Sequence, residues 1–320
     1  MMCCQINEKI IVSVIIPTYN YANFIGEAIG SVIAQTYKKL EIVIVDDGST
    51  DNTREIVKHF IEKTKIVSIS YVYQDNKGPS AARNAGIRQS SGEYVAFLDA
   101  DDIWLPNKLQ LQMDIISKDR SIGLITCGRY DIDKDGEVLG PFLGFKNKNR
   151  YKLLNEFFTR NVICAGGSST LIRRKCFNEL GVFDETLAVA EDWDMWLRIC
   201  KIYRFESINI PLIKVRIHEG SQSYYASKNL INEFKFIDKI FSDKAFKRKW
   251  FLKRKAYSYR YYSAAIACKD VKRRSEALKY FIKSFFLFPF AFFEKTHLGT
   301  LVWIILGEKN FIKILNKKKR

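Results

Sequence analysis

The residues of this chain best suited to chemistry are carboxylates placed just past hydrophobic runs. Val43-Ile44-Val45 ends in Asp46-Asp47-Gly48-Ser49, and Tyr94-Val95-Ala96-Phe97-Leu98 ends in Asp99-Ala100-Asp101-Asp102. Glu191-Asp192 opens a later aromatic segment that holds Trp193 and Trp196. A buried strand ending in a carboxylate sets negative charge at the carboxyl edge of a sheet, where open α/β folds bind ligands. Carboxylates crowded there repel one another unless a cation or a hydrogen-bonding ligand lies between them. The pattern points to metal-assisted chemistry on a phosphate-bearing ligand.

Such charges need elements to hold them, and the first part of the chain alternates strand and helix patterns. Residues 10–16 read as a β-rich run stopped by Pro17. Asn23 then caps a helix with apolar or small residues at Ile25, Ala28, Ile29, Val32 and Ile33. Residues 40–45 form a second strand, and Ser49-Thr50-Asp51 caps a helix running to about Lys63. Residues 67–73 and 94–98 are further strands, and Gly78-Pro79 opens the small-residue helix between them. Pro106 suits the first position of the next helix. This βαβαβαβ order predicts a mostly parallel, doubly wound sheet. Beyond Gly123 the spacing predicts strands at 123–130 and 168–172, and helices at 173–180 and 192–202.

Five segments occur in order: Val12-Ser13-Val14-Ile15-Ile16-Pro17-Thr18-Tyr19-Asn20, Val45-Asp46-Asp47-Gly48-Ser49-Thr50-Asp51, Gly78-Pro79-Ser80-Ala81-Ala82-Arg83-Asn84-Ala85-Gly86, Leu98-Asp99-Ala100-Asp101-Asp102 and Glu191-Asp192-Trp193-Asp194. Together, over roughly residues 10–220, they resemble the family 2 inverting glycosyltransferases of the GT-A fold, in their bacterial, non-processive form. The resemblance implies a nucleotide-diphosphate sugar donor, a UDP-sugar, and a saccharide or lipid-linked acceptor in surface polysaccharide assembly. It implies that Pro17, Thr18 and Tyr19 line the base and that Asp47 contacts it. A carboxylate there accepts the imide N–H of uracil. It further implies a DXD-type metal site for Mn²⁺ or Mg²⁺, with Asp101 as ligand, Asp99 facing ribose or metal, and Ala100 between them against the donor. Asp102 either joins them or caps the turn that follows. Arg83 reaches a phosphate or an acidic partner such as Asp99. Asp192 matches the family's base, with Glu191 orienting it and Trp193 and Trp196 offering an apolar wall for a sugar ring. Gly166-Gly167-Ser168-Ser169 is similar to the acceptor-side loop. Arg216 and His218 alternate on a strand and so share a face. Relatives place such a segment near the diphosphate, although a lone histidine is as readily structural.

Composition divides the chain. Residues 1–225 carry 28 Lys+Arg and 28 Asp+Glu, whereas 226–320 carry 24 against seven, which is the whole net charge of +17. The expected units are therefore a catalytic domain over 1–225 and a basic, aromatic-rich helical appendage over 226–320. The run at 284–293 is too short to span a bilayer. The appendage either packs as a helical hairpin on its own apolar face or, the favoured reading, settles on an anionic membrane surface. Processive synthases of the broader family that this chain resembles carry a QxxRW motif and flanking transmembrane helices; this sequence shows neither, and the resemblance therefore implies one sugar added per encounter. Seven cysteines without a CxxC pair, and an N-terminus unlike a signal peptide, suggest a cytoplasmic protein peripheral to the inner face of the cell membrane. Two other readings compete with this one. A non-catalytic, membrane-tethered scaffold of the same fold would be free to lose Asp101 and Asp192. A nucleic-acid partner is not expected, because no recognition motif accompanies the charge.

Overall fold

The computed structural model describes residues 12–145, 149–218, 230–242, 249–270, 273–290 and 295–306. They fall into two compact units. The first, built from residues up to 154 and from Asn161 to His218, holds nine strands: β1 (Val12–Thr18), β2 (Leu40–Asp46), β3 (Ser68–Tyr73), β4 (Tyr94–Phe97), β5 (Ile103–Trp104), β6 (Ile122–Ile132), β7 (Val138–Phe142), β8 (Leu171–Arg173) and β9 (Arg204–Arg216). Their order is β3-β2-β1-β4-β8-β6-β9-β5, with β7 added to β6. β1 runs parallel to β2 and β4, β2 to β3, and β6 to β9. β8 is antiparallel to both β4 and β6, so six of the nine strands share one direction. The sheet is mostly parallel, as its sequence predicts, with a mixed second half.

The hydrophobic runs explain why this sheet is covered on both faces. Val12, Val14 and Ile16 on β1 join a core with Ile25, Ala28, Ile29 and Val32 of α1 (Ala22–Ile33) and with Val57 of α2 (Thr53–Lys63). Ile15 points the other way, onto α3 (Pro79–Gln89), at the one place where that helix has glycine. A Cβ on Gly86 would lie 2.3 Å from Ile15 Cγ2. α3 therefore sits closer to the sheet than any larger residue allows, and it carries Arg83 on the same helix. The remaining helices of this unit are α4 (Lys108–Ile116), α5 (Arg150–Phe157), α6 (Arg174–Leu180) and α7 (Glu191–Ile202). Residues 155–160, which include the end of α5, cluster with the second unit.

Several boundaries differ from expectation. α4 begins at Lys108, two residues past Pro106, whose carbonyl instead accepts the Thr36 N–H. β9 is far longer than its recognised end, because Asn209 and Pro211 mask it. Pro211 falls opposite Gly128, where the β6–β9 register shifts and no regular ladder bond is required of it. β5, β7 and α5 have no counterpart in the expected elements. Residues 10 and 11 of the expected first strand lie outside the described residues.

The second unit contains α8 (Leu230–Ser242), α9 (Trp250–Asp270), α10 (Arg274–Leu287) and α11 (Lys295–Leu306). α9 and α10 form an antiparallel hairpin. Arg254 donates to the carbonyls of Phe286 and Leu287, Ser258 Oγ to that of Ser284, and Tyr262 packs edge-on to Phe281. Its core joins Tyr262, Ala265, Cys268, Ala277 and Phe281 to Trp303 and Ile304 of α11. Among the described residues no helix is long and apolar enough to cross a membrane. The expected boundary at 225/226 lies outside the described residues.

The Gly86 contact is testable. Gly86→Val should overpack the α3–β1 interface and cost about 3 kcal/mol of stability, read as a lowered denaturant midpoint at unchanged slope.

Candidate active site

The strand order turns back on itself between β1 and β4, so a crevice opens at the carboxyl ends of these strands. The loops there are bonded to one another. Asn20 adopts a left-handed conformation (φ 57°), which asparagine tolerates. Its N–H donates to Ser49 Oγ at 2.9 Å and its Oδ1 accepts the Thr50 N–H at 2.8 Å. The Ala22 N–H reaches Asp51 Oδ2 at 3.0 Å, and the Asp47 N–H reaches the Thr18 carbonyl at 2.9 Å. The segments 17–20 and 46–51 thus form one bonded rim. Asp46 is internal to it, accepting the Ser49 N–H and the Tyr71 hydroxyl. Asp47 accepts from Gln74 Nε2 and from the N–H groups of Lys77 and Gly78, at 2.6–2.9 Å. It anchors the entry to α3, which leaves one carboxylate lone pair for a ligand. Tyr19 is 45% exposed on the rim, Pro17 is half-buried, and Thr18 is buried with its hydroxyl unbonded.

Arg83 is the centre of the next cluster. Its Nη1 lies 2.7 Å from Glu191 Oε1 and its Nη2 lies 3.1 Å from Asp99 Oδ1. The guanidinium is almost fully buried beside the Phe183 ring. The carboxylates of Asp99 and Glu191 hold it charged despite that burial. The neighbouring Asn84 amide donates to the Phe183 carbonyl and its Oδ1 accepts the Phe183 N–H, which fixes that ring.

Asp192 stands at the start of α7. Asn161 Nδ2 donates to its Oδ2 at 3.1 Å, and the Trp193 N–H donates to its Oδ1 at 2.6 Å. Burial, followed by the charge of Glu191, pushes its carboxyl up to about 7, against the opposing pull of Arg83. Gly166 closes over it: a Cβ at that left-handed glycine would lie 3.3 Å from Asp192 Oδ2. Within the same loop Ser168 Oγ accepts the Asp99 N–H at 3.0 Å and bonds the Asp102 carboxyl. The Ser168 carbonyl accepts the indole N–H of Trp104, whose ring lies 3.8 Å from the buried Lys108 ammonium. The glycine-serine segment therefore touches both the Asp99–Asp102 turn and Asp192.

The three carboxylates of that turn differ. Asp101 Oδ2 lies 3.0 Å from His218 Nε2, and burial and Asp99 raise its carboxyl above the ordinary range. Asp102 is buried, bonded to the Arg216 N–H at 3.2 Å, and raised further by burial and by Asp101. Tyr21 faces all three, and burial and their charges raise its hydroxyl. Ala100 is buried between them. His218 lies two residues beyond the end of the strand ladder but shares a side with Arg216, since both pack on Phe24.

Two of the expected contacts are enclosed by neighbours. The side chain of Arg216 is only 3% exposed and is bonded to Glu27 Oε2 at 2.9 Å and to the carbonyls of Lys134 and Asp101, so it braces the turn. Trp193 and Trp196 are 3% and 0% exposed, and Trp196 packs edge-on to Phe183. Neither presents a wall to a sugar ring; both are core residues at the helical spacing that α7 requires. Asn161, Ser168 and Tyr21 enter the site without having been singled out for these contacts. Asn161 lies 31 residues from Asp192 in a segment without a motif. Ser168 sat within the recognised loop, but its contact with Asp99 depends on how β8 pairs with β4.

A sheet of this topology with a carboxylate array on its switch point defines the class of nucleotide-sugar transferases with the GT-A fold. The family described as Glycosyl transferase family 2 matches residues 13–181. A curated relative, the Escherichia coli UDP-Glc:alpha-D-GlcNAc-diphosphoundecaprenol beta-1,3-glucosyltransferase WfgD, is 32% identical over 226 residues, covering 70% of this chain and 83% of its own. Among solved structures, S. aureus TarS 1–349 in complex with UDP-GlcNAc superposes with a TM-score of 0.62 at 21% identity, covering 86% of this chain and 79% of its own. The mannosyltransferase PcManGT from Pyrobaculum calidifontis, in complex with GDP-Man and Mn²⁺, gives 0.58 at 20% identity, covering 94% and 87%. The chain belongs to glycosyltransferase family 2 and is a glycosyltransferase.

Removing the Arg83 guanidinium would leave two inward carboxylates unpaired. Arg83→Met should cost about 3–5 kcal/mol in thermal or denaturant unfolding. Adding Glu191→Gln should recover part of that loss, giving a coupling energy of at least about 1 kcal/mol in the double-mutant cycle.

Proposed function

We propose that this enzyme transfers one sugar, with inversion, from a UDP-sugar to a hydroxyl of a saccharide or lipid-linked acceptor in surface polysaccharide assembly. The observation that carries the reading is Asp192. It is a carboxylate held by Asn161, raised by burial to about 7, and separated from the donor-side Asp99 by the Arg83–Glu191 pair. Inversion needs a base on the face opposite the leaving group, and a base works best when its pKa lies near the working pH. Asp192 Oδ2, oriented by the Asn161 amide, takes the proton from the acceptor hydroxyl as its oxygen bonds to the anomeric carbon. The bond to the diphosphate oxygen breaks, and the nucleoside diphosphate leaves.

On the donor side the rim formed by Pro17, Thr18 and Tyr19 receives the base. Asp47 offers the uracil imide its remaining lone pair. Asp99 is partly exposed and already tied to Arg83, which suits it to the ribose or to the edge of the metal site. The donor set of Asp101 and His218, with Asp99 crowding them, fits a hard divalent cation such as Mn²⁺ or Mg²⁺. Asp101 and His218 would hold such a cation, which would supply Lewis-acid chemistry to a bound diphosphate. A cation held there would stabilise the charge that develops on the departing diphosphate. The UDP-Glc and diphosphoundecaprenol in the printed name of WfgD support the donor and the acceptor class, and Mn²⁺ beside GDP-Man in PcManGT supports the metal. The basic C-terminal region keeps the enzyme at an anionic membrane surface, within reach of a lipid-linked acceptor.

Two experiments test this. Asp192→Asn should lower kcat by about a thousandfold with donor affinity retained. In the native enzyme kcat/KM should rise with pH through about 7, because only the ionised carboxylate accepts a proton, and the variant should lack that limb. Retained turnover would remove Asp192 from the mechanism. Asp101→Ala should abolish the thermal stabilisation given by UDP together with Mn²⁺. An undiminished shift would move the metal site elsewhere.

A further inference from the structure

The α9–α10 hairpin ends, on the side of the Trp250 end of α9, in a tip of exposed aromatic rings. Trp250 and Phe251 lie edge to face at 6.1 Å, Phe251 covers Phe288 at 5.1 Å, and Phe288 meets Phe290 at 5.8 Å. Phe288 is buried by these contacts, while Trp250, Phe286 and Phe290 are 64%, 71% and 65% exposed. Arg254 fixes the tip by donating to the carbonyls of Phe286 and Leu287, a cation placed at a helix C-terminus where the dipole favours it. Leu278, Ile282 and Phe286, each four residues from the next on α10, are all exposed and form an apolar stripe leading to the tip. Cations surround this surface. Residues 249–260 and 277–290 contain seven Lys and Arg and no Asp or Glu. Lys255 lies over the Phe288 ring, and Arg254 over Trp250.

Exposing this much aromatic and aliphatic surface is unfavourable in water and marks an interaction face. A second copy of the chain is a poor occupant: Asp238 and Glu233 of α8 pair with Lys253 and Arg260, but the other cations leave the patch net positive, and a two-fold contact would set two such patches against each other. A single-stranded nucleic acid would stack on the rings but gains nothing from the aliphatic stripe. Resting on the membrane-surface reading proposed above, we propose that this tip, with the Leu278–Ile282–Phe286 stripe, is the element that inserts into the headgroup layer of an anionic bilayer. Its aromatic rings sit at the acyl boundary and its lysines and arginines meet lipid phosphates.

The native tryptophans make the contact measurable. Trp104, Trp193, Trp196 and Trp303 are all 8% exposed or less, so Trp250 is the one exposed indole of the five. The full chain is mixed with phosphatidylcholine vesicles with or without phosphatidylglycerol. Flotation should require phosphatidylglycerol and weaken with added salt, and binding should shift tryptophan emission to the blue. Brominated acyl chains should quench it. Phe286→Ser with Phe290→Ser should bind the same vesicles about tenfold more weakly, with an unchanged melting temperature and unchanged turnover on a soluble acceptor. If the native chain floats but the variant floats equally, or bromine does not quench, the tip assignment is wrong and the membrane reading survives. If the native chain does not float, both fall. Loss of self-association, or of oligonucleotide binding, in the variant while vesicles are ignored would name the other occupant and overturn the proposal.

Discussion

A buried guanidinium between two carboxylates organises this enzyme. Arg83 lies on a helix packed tightly against β1, Asp99 ends the run that follows β4, and Glu191 starts α7. A charge removed from water at such a point is tolerated only when its partners are close and well aimed. The three segments must therefore reach their places together for any of them to be stable. The pair also sets the electrostatics of the site. Burial and Glu191 raise the carboxyl of Asp192, Arg83 lowers it, and Asp99 adds a smaller upward push. A carboxyl tuned in this way depends on the folding of parts that lie more than a hundred residues apart.

Much of this was legible in the sequence, and the reason differs between residues. Hydrophobic runs ending in Asp47 and Asp99 announced parallel strands and the edge at which their charges gather, since burial on both faces forces a continuous apolar run. What could not be read was any contact that depends on mixed strand pairing in the second half. Nothing about Asn161 indicates that it reaches Asp192. The long β9 was hidden by a proline that the sheet accommodates at a register shift. Trp193 and Trp196 misled because aromatic side chains beside acidic ones look like a sugar platform, whereas here the spacing serves the core. The partner of Arg216 was hidden for a related reason: a strand fixes its face, but α1, far off in sequence, supplies Glu27 to meet it.

The two units share the work unevenly. The catalytic unit has its carboxylates turned inward, toward one another and toward Arg83. The helical unit has its rings and cations turned outward at one end of a hairpin. Each arrangement is costly in isolation, which is why each reads as a surface awaiting a ligand.

Ser168 ties the Asp99–Asp102 turn to the glycine-serine loop with its hydroxyl and anchors the Trp104 indole with its carbonyl, so these segments form a single bonded frame. A frame of that kind separates chemistry from choice. Replacing a residue within it disturbs the Asp99–Asp102 turn and the surroundings of Asp192 together. Side chains outside the frame, such as the exposed Tyr19, escape that constraint and can change without moving the buried carboxylates.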